Sequence, residues 1–289
     1  MLAYVFPGQG SQKLGMGKEF FHEYPEYVEK ANAIIGYSIK DLCLRDPDNL
    51  LNQTQYTQPA LYIVNSLEYL KKIKETNRKP SYVAGHSLGE YNALFASGAF
   101  DFETGLRLVK KRGELMQQAQ GGAMAAIVRA DLNDIRAILD IHFPQLDVAN
   151  LNCPSQTVIS GPVEVIEQAK EIFTHQLNCR YMKLNVSGAF HSRYMLQSSL
   201  KFADYIKDIK FREMEIPVIS NYTARPYTFD SIKENLIKQI NHPVEWTESI
   251  RFIMGRGNVE VIQCGIGNVL TNLQKKIEKE TSPNYETFV

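Results

Sequence analysis

The stretch SYVAGHSLGEYNALFASGAF (residues 81–100) begins with an apolar run, passes through a corner of small residues and continues as an alanine-rich segment. Gly85-His86-Ser87-Leu88-Gly89 matches G-x-S-x-G, in which small flanking residues let a strand turn sharply into a helix and expose the serine. The free N–H groups at the start of the helix point towards that serine, so the Leu88 N–H is a natural oxyanion donor. The alternative is a serine that only caps a helix or occupies a turn.

Short strands and helices alternate around this corner. Residues 3–6 form a predicted strand that ends at Pro7-Gly8, residues 52–66 become helical after Pro59, and residues 82–84 form the next strand, an order that favours a parallel sheet covered by helices. Residues 123–187 read as βαββαβ, which is typical of a ferredoxin-like unit. We therefore predict an α/β fold with a parallel-sheet body (1–122 and 188–289) and an inserted small subdomain (123–187). The polar tail 281–289 is expected to fray.

The composition excludes several classes of protein. The 289 residues include 32 Lys+Arg and 32 Asp+Glu, so the formal charge is zero and no global field favours nucleic acid or an anionic membrane. No segment reaches the roughly 18 consecutive apolar residues of a membrane span. The four cysteines lie far apart without a C-x-x-C pair, which predicts unpaired thiols, no zinc site and a cytoplasmic location.

A nucleophilic serine needs a base, and the sequence offers six histidines: His22, His86, His142, His175, His191 and His242. His86 is adjacent to Ser87 on a tight turn and should point elsewhere, and three others lie in polar helical stretches. His191 follows a predicted strand among small residues, whereas His242 precedes a proline and suits a turn, so His191 is preferred. No Asp or Glu identifies itself as a third member, although a carbonyl oxygen can also orient an imidazole.

An arginine lies on the apolar face of a predicted helix. From Asp101, a plausible N-cap, the helix places Arg112 on the same face as Leu108, Leu115 and Met116. A guanidinium drawn towards the core needs an anion, because a buried unpaired charge is strongly unfavourable. That anion is either an internal carboxylate or a substrate carboxylate held by two hydrogen bonds, and the third possibility is an arginine that reaches solvent.

The loop PGQGSQKLGMG (residues 7–17) does not match a nucleotide-binding motif. Gln12 stands where a P-loop has its first glycine, Glu19 follows Gly17-Lys18, and Lys13 stands where G-x-G-x-x-G has its third glycine. A strand followed by glycines still leaves backbone N–H groups and the Gln9 amide facing a cavity. This arrangement suits a second oxyanion donor.

These segments together resemble the malonyl-CoA:acyl carrier protein transacylase family. FPGQGSQ (6–12), TQPAL (57–61), GHSLGEY (85–91), KRGELM (111–116), GAFHS (188–192) and PVEW (243–246) occur in the family's order and spacing over nearly the whole chain. The runs 101–116, 216–221 and 248–257 look most like the free-standing, trans-acting acyltransferases of modular polyketide synthases, of the bacillaene and disorazole type. One departure is visible, since the family's usual Gly-Pro-Gly reads Gly265-Ile266-Gly267 here.

The resemblance implies a hydrolase-like α/β body with a ferredoxin-like insert, and it assigns a role to seven residues. Ser87 would be the acylated nucleophile, His191 the base, Gln239 the carbonyl that orients it, Gln9 and the Leu88 N–H the oxyanion hole, Arg112 the ligand of the malonyl carboxylate, and Phe190 a residue type associated with malonyl rather than branched units.

The implied activity is that of an [acyl-carrier-protein] S-malonyltransferase. It would move malonyl from malonyl-CoA through a seryl ester to the phosphopantetheine thiol of a carrier protein serving polyketide synthase modules, with no metal or bound cofactor and no nucleic-acid or membrane partner. The alternatives are a malonyl transacylase of fatty-acid synthesis, an acyl hydrolase that removes acyl groups from carrier proteins, a catalytically inactive docking protein and an unrelated esterase. Editing hydrolases tend to lack the arginine, and an ester lipid would give Arg112 no anion.

Overall fold

The structure is a computed structural model that describes residues 1–281. In chain order its strands are β1 (Leu2–Phe6), β2 (Tyr82–Gly85), β3 (Gly122–Val128), β4 (Asp147–Cys153), β5 (Gln156–Pro162), β6 (Arg180–Lys183), β7 (Val218–Ile219) and β8 (Glu260–Gln263). Its helices are α1 (Pro25–Ile35), α2 (Ile39–Leu44), α3 (Thr54–Thr76), α4 (Gly89–Ala96), α5 (Phe102–Gln118), α6 (Leu132–His142), α7 (Val163–Leu177), α8 (Leu196–Ile206), α9 (Ile232–Asn241), α10 (Trp246–Met254) and α11 (Val269–Glu280).

A parallel sheet with the order β7-β2-β1-β8 forms the centre of the larger part. Every residue of β1 is buried, as expected for a strand that is covered by helices on both faces. Phe6 pairs with Gly85 in the β1–β2 register, so both strands deliver the following loops to the same edge. The predicted parallel-sheet body is therefore confirmed, and the serine corner lies at the carboxyl end of its sheet.

A second sheet is antiparallel, with the order β4-β5-β3-β6, and helices α6 and α7 connect its strands. This order with βαββαβ connectivity is the predicted ferredoxin-like arrangement. Ile127, Ile135, Ile159 and Phe173 fill a separate core between its sheet and helices. The boundaries 123 and 187 of a subdomain stay predictions, although the sheet itself runs from residue 122 to residue 183.

The two parts meet beside the serine corner. Backbone hydrogen bonds join β4 to the chain before α10, since the Leu151 N–H donates to Val244 O at 3.0 Å and the Val244 N–H donates to Ala149 O at 2.9 Å. Asp147 on β4 forms an ion pair with Arg193, two residues after His191. The small part is thus attached directly to the segment that carries the candidate base.

Two predicted secondary-structure elements differ from the structure, and a third prediction concerns residues outside the described range. Helix α3 begins at Thr54 rather than after Pro59, because packing on α5 overrides the proline: a Cβ on Gly113 would meet Thr54 O at 3.2 Å. The strand predicted from IPVISN reduces to two residues of β7. The predicted fraying of the tail concerns residues that lie, from 282 on, outside the described range. Within residues 1–281, no helix is both long and apolar enough to cross a bilayer.

Candidate active site

The corner at Ser87 is a sharp strand-to-helix turn between β2 and α4. The backbone of Ser87 is left-handed, with φ of 51°, a conformation that is uncommon for residues other than glycine. A Cβ on Gly85 would lie 1.9 Å from the Gly89 carbonyl carbon, and one on Gly89 would lie 2.0 Å from Phe6 O. The two glycines of the motif are therefore required by close packing of backbone on backbone, and they hold the serine at the bend.

His191 lies against this serine. Its Nε2 is 2.7 Å from Ser87 Oγ, and its Nδ1 is 2.8 Å from the carbonyl oxygen of Gln239 at the end of α9. A carbonyl oxygen can only accept, so Nδ1 carries the proton and Nε2 is free to accept the Ser87 hydroxyl. The backbone of His191 is also left-handed, with φ of 57°. The structure thus brings together the predicted nucleophile, base and orienting carbonyl.

Arg112 on α5 reaches the same serine from the core side. Its side chain is fully buried, and its Nη2 donates to Ser87 Oγ at 3.1 Å and to Gln239 Oε1 at 3.0 Å, while Nη1 donates to Gln58 Oε1 at 2.8 Å. In residues 1–281 no carboxylate lies within 4 Å of the guanidinium, and its Nε has no acceptor. The internal-carboxylate alternative therefore fails as a direct ion pair, and so does the solvent-reaching one.

The backbone offers two further N–H donors, one at the serine corner and one in the loop that follows β1. Within residues 1–281, neither the Leu88 N–H nor the Gln9 N–H donates a hydrogen bond. The β1 loop packs on the corner so closely that a Cβ on Gly8 would lie 2.4 Å from His86 O and 3.5 Å from the Leu88 nitrogen. The side-chain amide of Gln9, by contrast, donates to Thr54 Oγ1 at 3.2 Å. If Gln9 serves an oxyanion, its backbone N–H is the available donor.

Sequence reasoning missed two buried side chains that hold the corner. Asn221, just after β7, accepts from the Ser87 N–H at 2.7 Å and donates to Gly85 O at 2.6 Å. Glu90 in the first turn of α4 accepts from the Asn221 N–H and from Gln239 Nε2, each at 2.6 Å. The run IPVISN and the motif GHSLGEY contain both residues, but nothing in their spacing shows that they meet.

Burial controls the protonation of the site. Burial, reinforced by the Arg112 charge, lowers the pKa of His191 from 6.5 to about 3, so the imidazole is neutral at physiological pH and its Nε2 is free to accept a hydrogen bond. Burial raises the pKa of Glu90 from 4.5 to about 7, although its hydrogen bonds and Arg112 act in the opposite direction. Burial also lowers the pKa of Arg112, which still remains charged.

The other predicted features occupy different places. Phe190 is 5% exposed and belongs to the main core cluster, and its role stays a prediction. The His86 ring turns away from Ser87, as expected, and its Nε2 lies 2.8 Å from Asn152 Oδ1. His22, His142 and His175 are exposed, and His242 Nδ1 lies 2.9 Å from Lys238 O, so none of these four faces the serine.

The departure at Gly265-Ile266-Gly267 leaves a well-defined loop. Gln263 Nε2 faces the carbonyl oxygens of all three residues at 3.3, 3.1 and 2.8 Å, and its Oε1 accepts from the N–H groups of Leu270 and Thr271. Gly265 has φ of 133°, which suits glycine alone. One glutamine side chain therefore fixes the shape of this loop in the absence of the usual proline.

The four cysteines form no disulfide bond, as predicted. All four cysteines are free, and three of them are buried. No cluster of three or more His, Cys, Asp or Glu side chains arranged to hold a metal ion occurs in the part of the chain that the structure describes. The expectation of no cofactor stays a prediction.

This is an α/β protein with a serine at a strand-to-helix elbow. A neutral histidine is hydrogen-bonded to the serine Oγ, and a buried arginine donates to the same atom. Residues 3–283 match the family model described as acyl transferase domain. The chain belongs to the acyl transferase domain family.

Individual relatives share most of this chain. It is 51% identical over 282 residues to the polyketide biosynthesis malonyl CoA-acyl carrier protein transacylase PksC of Bacillus subtilis (strain 168), covering 97% of this chain and 98% of PksC. It is 52% identical over 285 residues to polyketide biosynthesis protein PksE of the same strain, covering 98% of this chain but only 37% of PksE.

Solved structures agree with the same assignment. A malonyl CoA-acyl carrier protein transacylase from Burkholderia pseudomallei superposes with a TM-score of 0.95 at 47% identity, covering 98% of this chain and 99% of that one. A malonyl-transacylase solved in complex with its type II PKS acyl-carrier protein has a TM-score of 0.91 at 35% identity, covering 96% and 93%.

Proposed function

We propose that the protein is an [acyl-carrier-protein] S-malonyltransferase that supplies malonyl units in trans to a polyketide synthase. The position of Arg112 carries the proposal, because its Nη2 lies 3.1 Å from the Oγ of the candidate nucleophile. A malonyl group on Ser87 ends in a carboxylate two carbons beyond the ester carbon, within reach of that guanidinium. The polyketide role rests on the likeness to PksC, which covers almost the full length of both chains.

Acylation begins at Ser87. The hydroxyl proton passes to His191 Nε2 while Oγ attacks the thioester carbonyl of malonyl-CoA, and the imidazolium is stabilised by the Gln239 carbonyl at Nδ1. The N–H groups of Leu88 and Gln9 receive the negative charge that develops on the carbonyl oxygen. As the tetrahedral species collapses, the C–S bond breaks and His191 returns its proton to the CoA thiolate.

Transfer repeats these steps with a new nucleophile. The phosphopantetheine thiol of a carrier protein gives its proton to His191 and attacks the malonyl ester, and Ser87 leaves as the hydroxyl after taking the proton back. The reaction needs no metal or bound cofactor in this scheme. The unpaired thiols of the four cysteines support a cytoplasmic site of action.

Arg112 provides the selectivity for a dicarboxylic acyl group. A malonyl carboxylate gives the buried guanidinium an anion in direct contact, whereas an acetyl group leaves it without one. Loss of a buried charge partner costs on the order of 3–5 kcal/mol, which corresponds to about 10²- to 10⁴-fold in rate. The buried charge of Arg112 also argues against an esterase that acts on neutral substrates, because such a substrate has no carboxylate for it to bind.

Intact-mass spectrometry tests the proposal directly. The protein is exposed briefly to malonyl-CoA or acetyl-CoA and then mixed with a carrier protein that bears its phosphopantetheine arm. We expect a malonyl adduct that moves to the carrier, with little acetyl adduct. Ser87→Ala should abolish the adduct, and Ser81→Ala, at an exposed serine before the same strand, should retain it.

Three results would contradict the proposal. An adduct that is hydrolysed by water before the carrier protein is added would indicate a hydrolase. Equal malonyl and acetyl adducts would remove the role of Arg112. Absence of any adduct would support a docking protein without acyl transfer.

A further inference from the structure

Glu90 is a fully buried carboxyl group that the proposed mechanism does not use. It lies in the first turn of α4, three residues after the nucleophile, and both of its oxygens accept hydrogen bonds from N–H groups at 2.6 Å. No Lys, Arg or His nitrogen of residues 1–281 lies within 4 Å of it. A buried carboxyl without a direct ion pair is costly, so its presence calls for a function.

The side chain of Gln239 connects Glu90 to Arg112. Its Oε1 accepts from Arg112 Nη2 at 3.0 Å, and its Nε2 donates to Glu90 Oε2 at 2.6 Å and to Ser87 O at 2.7 Å. A guanidinium can only donate and an ionised carboxylate can only accept. The Gln239 amide therefore has a single orientation that satisfies both neighbours.

The hydrogen bonds through Gln239 also link two opposite charges, those of Arg112 and Glu90. Arg112 has no carboxylate within 4 Å in the described chain, and Glu90 is the carboxylate whose charge acts on it. The two opposite charges lie on either side of one amide, and the amide dipole is aligned with both of them. At a pH above its raised pKa of about 7, Glu90 is ionised and thus compensates the guanidinium while the acyl site holds no malonyl group.

We infer that Glu90 is a positioning residue for malonyl recognition: through the side chain of Gln239 it directs Arg112 Nη2 towards Ser87 and serves as its counter-charge in the free enzyme. This inference rests on the proposed function, because it concerns the substrate carboxylate that Arg112 would bind. The competing role is purely structural, in which Glu90 only fastens α4 to Asn221.

Glu90→Gln separates the two roles. Glutamine has one acceptor oxygen, whereas the Asn221 N–H and the Gln239 NH₂ both require one at this position. If the oxygen stays with Asn221, the Gln239 amide must turn, and its NH₂ group then faces the guanidinium. Arg112 loses its acceptor, while the bond from His191 to the Gln239 backbone carbonyl is untouched.

The measurement is kcat/KM for adduct formation with malonyl-CoA and with acetyl-CoA. For Glu90→Gln we expect a malonyl value about 10- to 100-fold lower and a much smaller fall for acetyl, because one charge-assisted hydrogen bond is lost only at the carboxylate subsite. The malonyl-to-acetyl ratio should therefore fall at least about tenfold. Equal losses with both donors would overturn the inference and leave the structural role.

A double-mutant cycle checks that Glu90 acts through Arg112. In an Arg112→Met background, Glu90→Gln should change malonyl loading less than about twofold, since the side chain that Glu90 positions is gone. An undiminished effect in that background would overturn the inference. Gln239→Met is the second variant: it removes the connecting amide but retains the backbone carbonyl, so the ratio should fall as in Glu90→Gln. It decides the question if Glu90→Gln does not fold, and an unchanged ratio would then overturn the inference.

The wild-type protein keeps the two proposals distinguishable. Absence of malonyl loading in the wild type would refute the proposed function itself. Normal wild-type loading together with an unchanged malonyl-to-acetyl ratio in the variants would refute only the role of Glu90.

Discussion

Replacing Arg112 by methionine should separate stability from activity. Methionine is of similar length and apolar, so it can fill the buried volume that the arginine occupies at 0% exposure. Since no carboxylate lies within 4 Å of the guanidinium in residues 1–281, the variant breaks no direct ion pair. We expect Arg112→Met to be folded and nearly as stable as the wild type, but poor at malonyl transfer.

The expected sizes follow from the contacts. The variant leaves Gln58 Oε1 and Gln239 Oε1 without their donor, which costs about 1–3 kcal/mol for each group. Removing the desolvated guanidinium offsets a similar amount, and Glu90, whose pKa of about 7 lies near neutrality, can take up a proton when its counter-charge is lost. The free energy of unfolding should therefore stay within about 2 kcal/mol of the wild type. Malonyl loading should fall about 10²- to 10⁴-fold, as expected for the loss of a buried charge partner.

Two assays measure these quantities on the same samples. Urea unfolding can be followed by the fluorescence of Trp246, which is the single tryptophan of the chain, is fully buried and packs 5.4 Å from the His86 ring. Adduct formation with malonyl-CoA and acetyl-CoA is followed by intact mass. A loss of stability above about 4 kcal/mol with equal losses for both donors would show that Arg112 is a structural residue.

Two further predictions concern groups around the nucleophile. Between pH 8 and pH 5, the unfolding free energy of the wild type should fall by about 2 kcal/mol more than that of His191→Gln. The reason is that the pKa of His191 is about 3 in the folded wild type and about 6.5 in the unfolded wild type, so at pH 5 only the unfolded state binds the proton. A pH-independent difference between the two proteins in urea titrations would indicate an unperturbed imidazole. Asn221→Leu should lower the unfolding free energy by about 2–5 kcal/mol, since the Ser87 N–H and Gly85 O lose their buried partner. The matched control Asn133→Leu, at an exposed position, should change it by less than about 0.5 kcal/mol, and equal effects at both positions would contradict the role of Asn221.

Features that are encoded locally could be predicted from the sequence. Asp101 caps α5 as expected, since its side chain accepts from the Thr104 N–H at 2.8 Å, and helical spacing placed Arg112 on the buried face. The corner at Ser87 was also predictable, because glycine is needed wherever two backbones approach closely. Each of these inferences depends on residues that are near one another along the chain.

Features that depend on distant residues could not be predicted in this way. Glu90 lies on a helix that is buried on nearly all sides, and its two hydrogen-bond donors, Gln239 and Asn221, reach it from positions 149 and 131 residues away. The predicted start of α3 was wrong for a similar reason: packing against α5, which is distant in sequence, overrides the local effect of Pro59. Pairings at this separation carry no periodic signal.

The close pairing of β1 with β2 places the two candidate oxyanion donors, the N–H groups of Gln9 and Leu88, on loops that leave adjacent strands of one sheet. Their separation is therefore set by the main chain, and a side-chain replacement at either position leaves the donor in place. In the proposed function, acyl preference depends instead on side chains such as Arg112. Single mutations can consequently alter which acyl group is accepted while the apparatus that activates the thioester is inherited unchanged, which gives this fold a route to new extender units without rebuilding its chemistry.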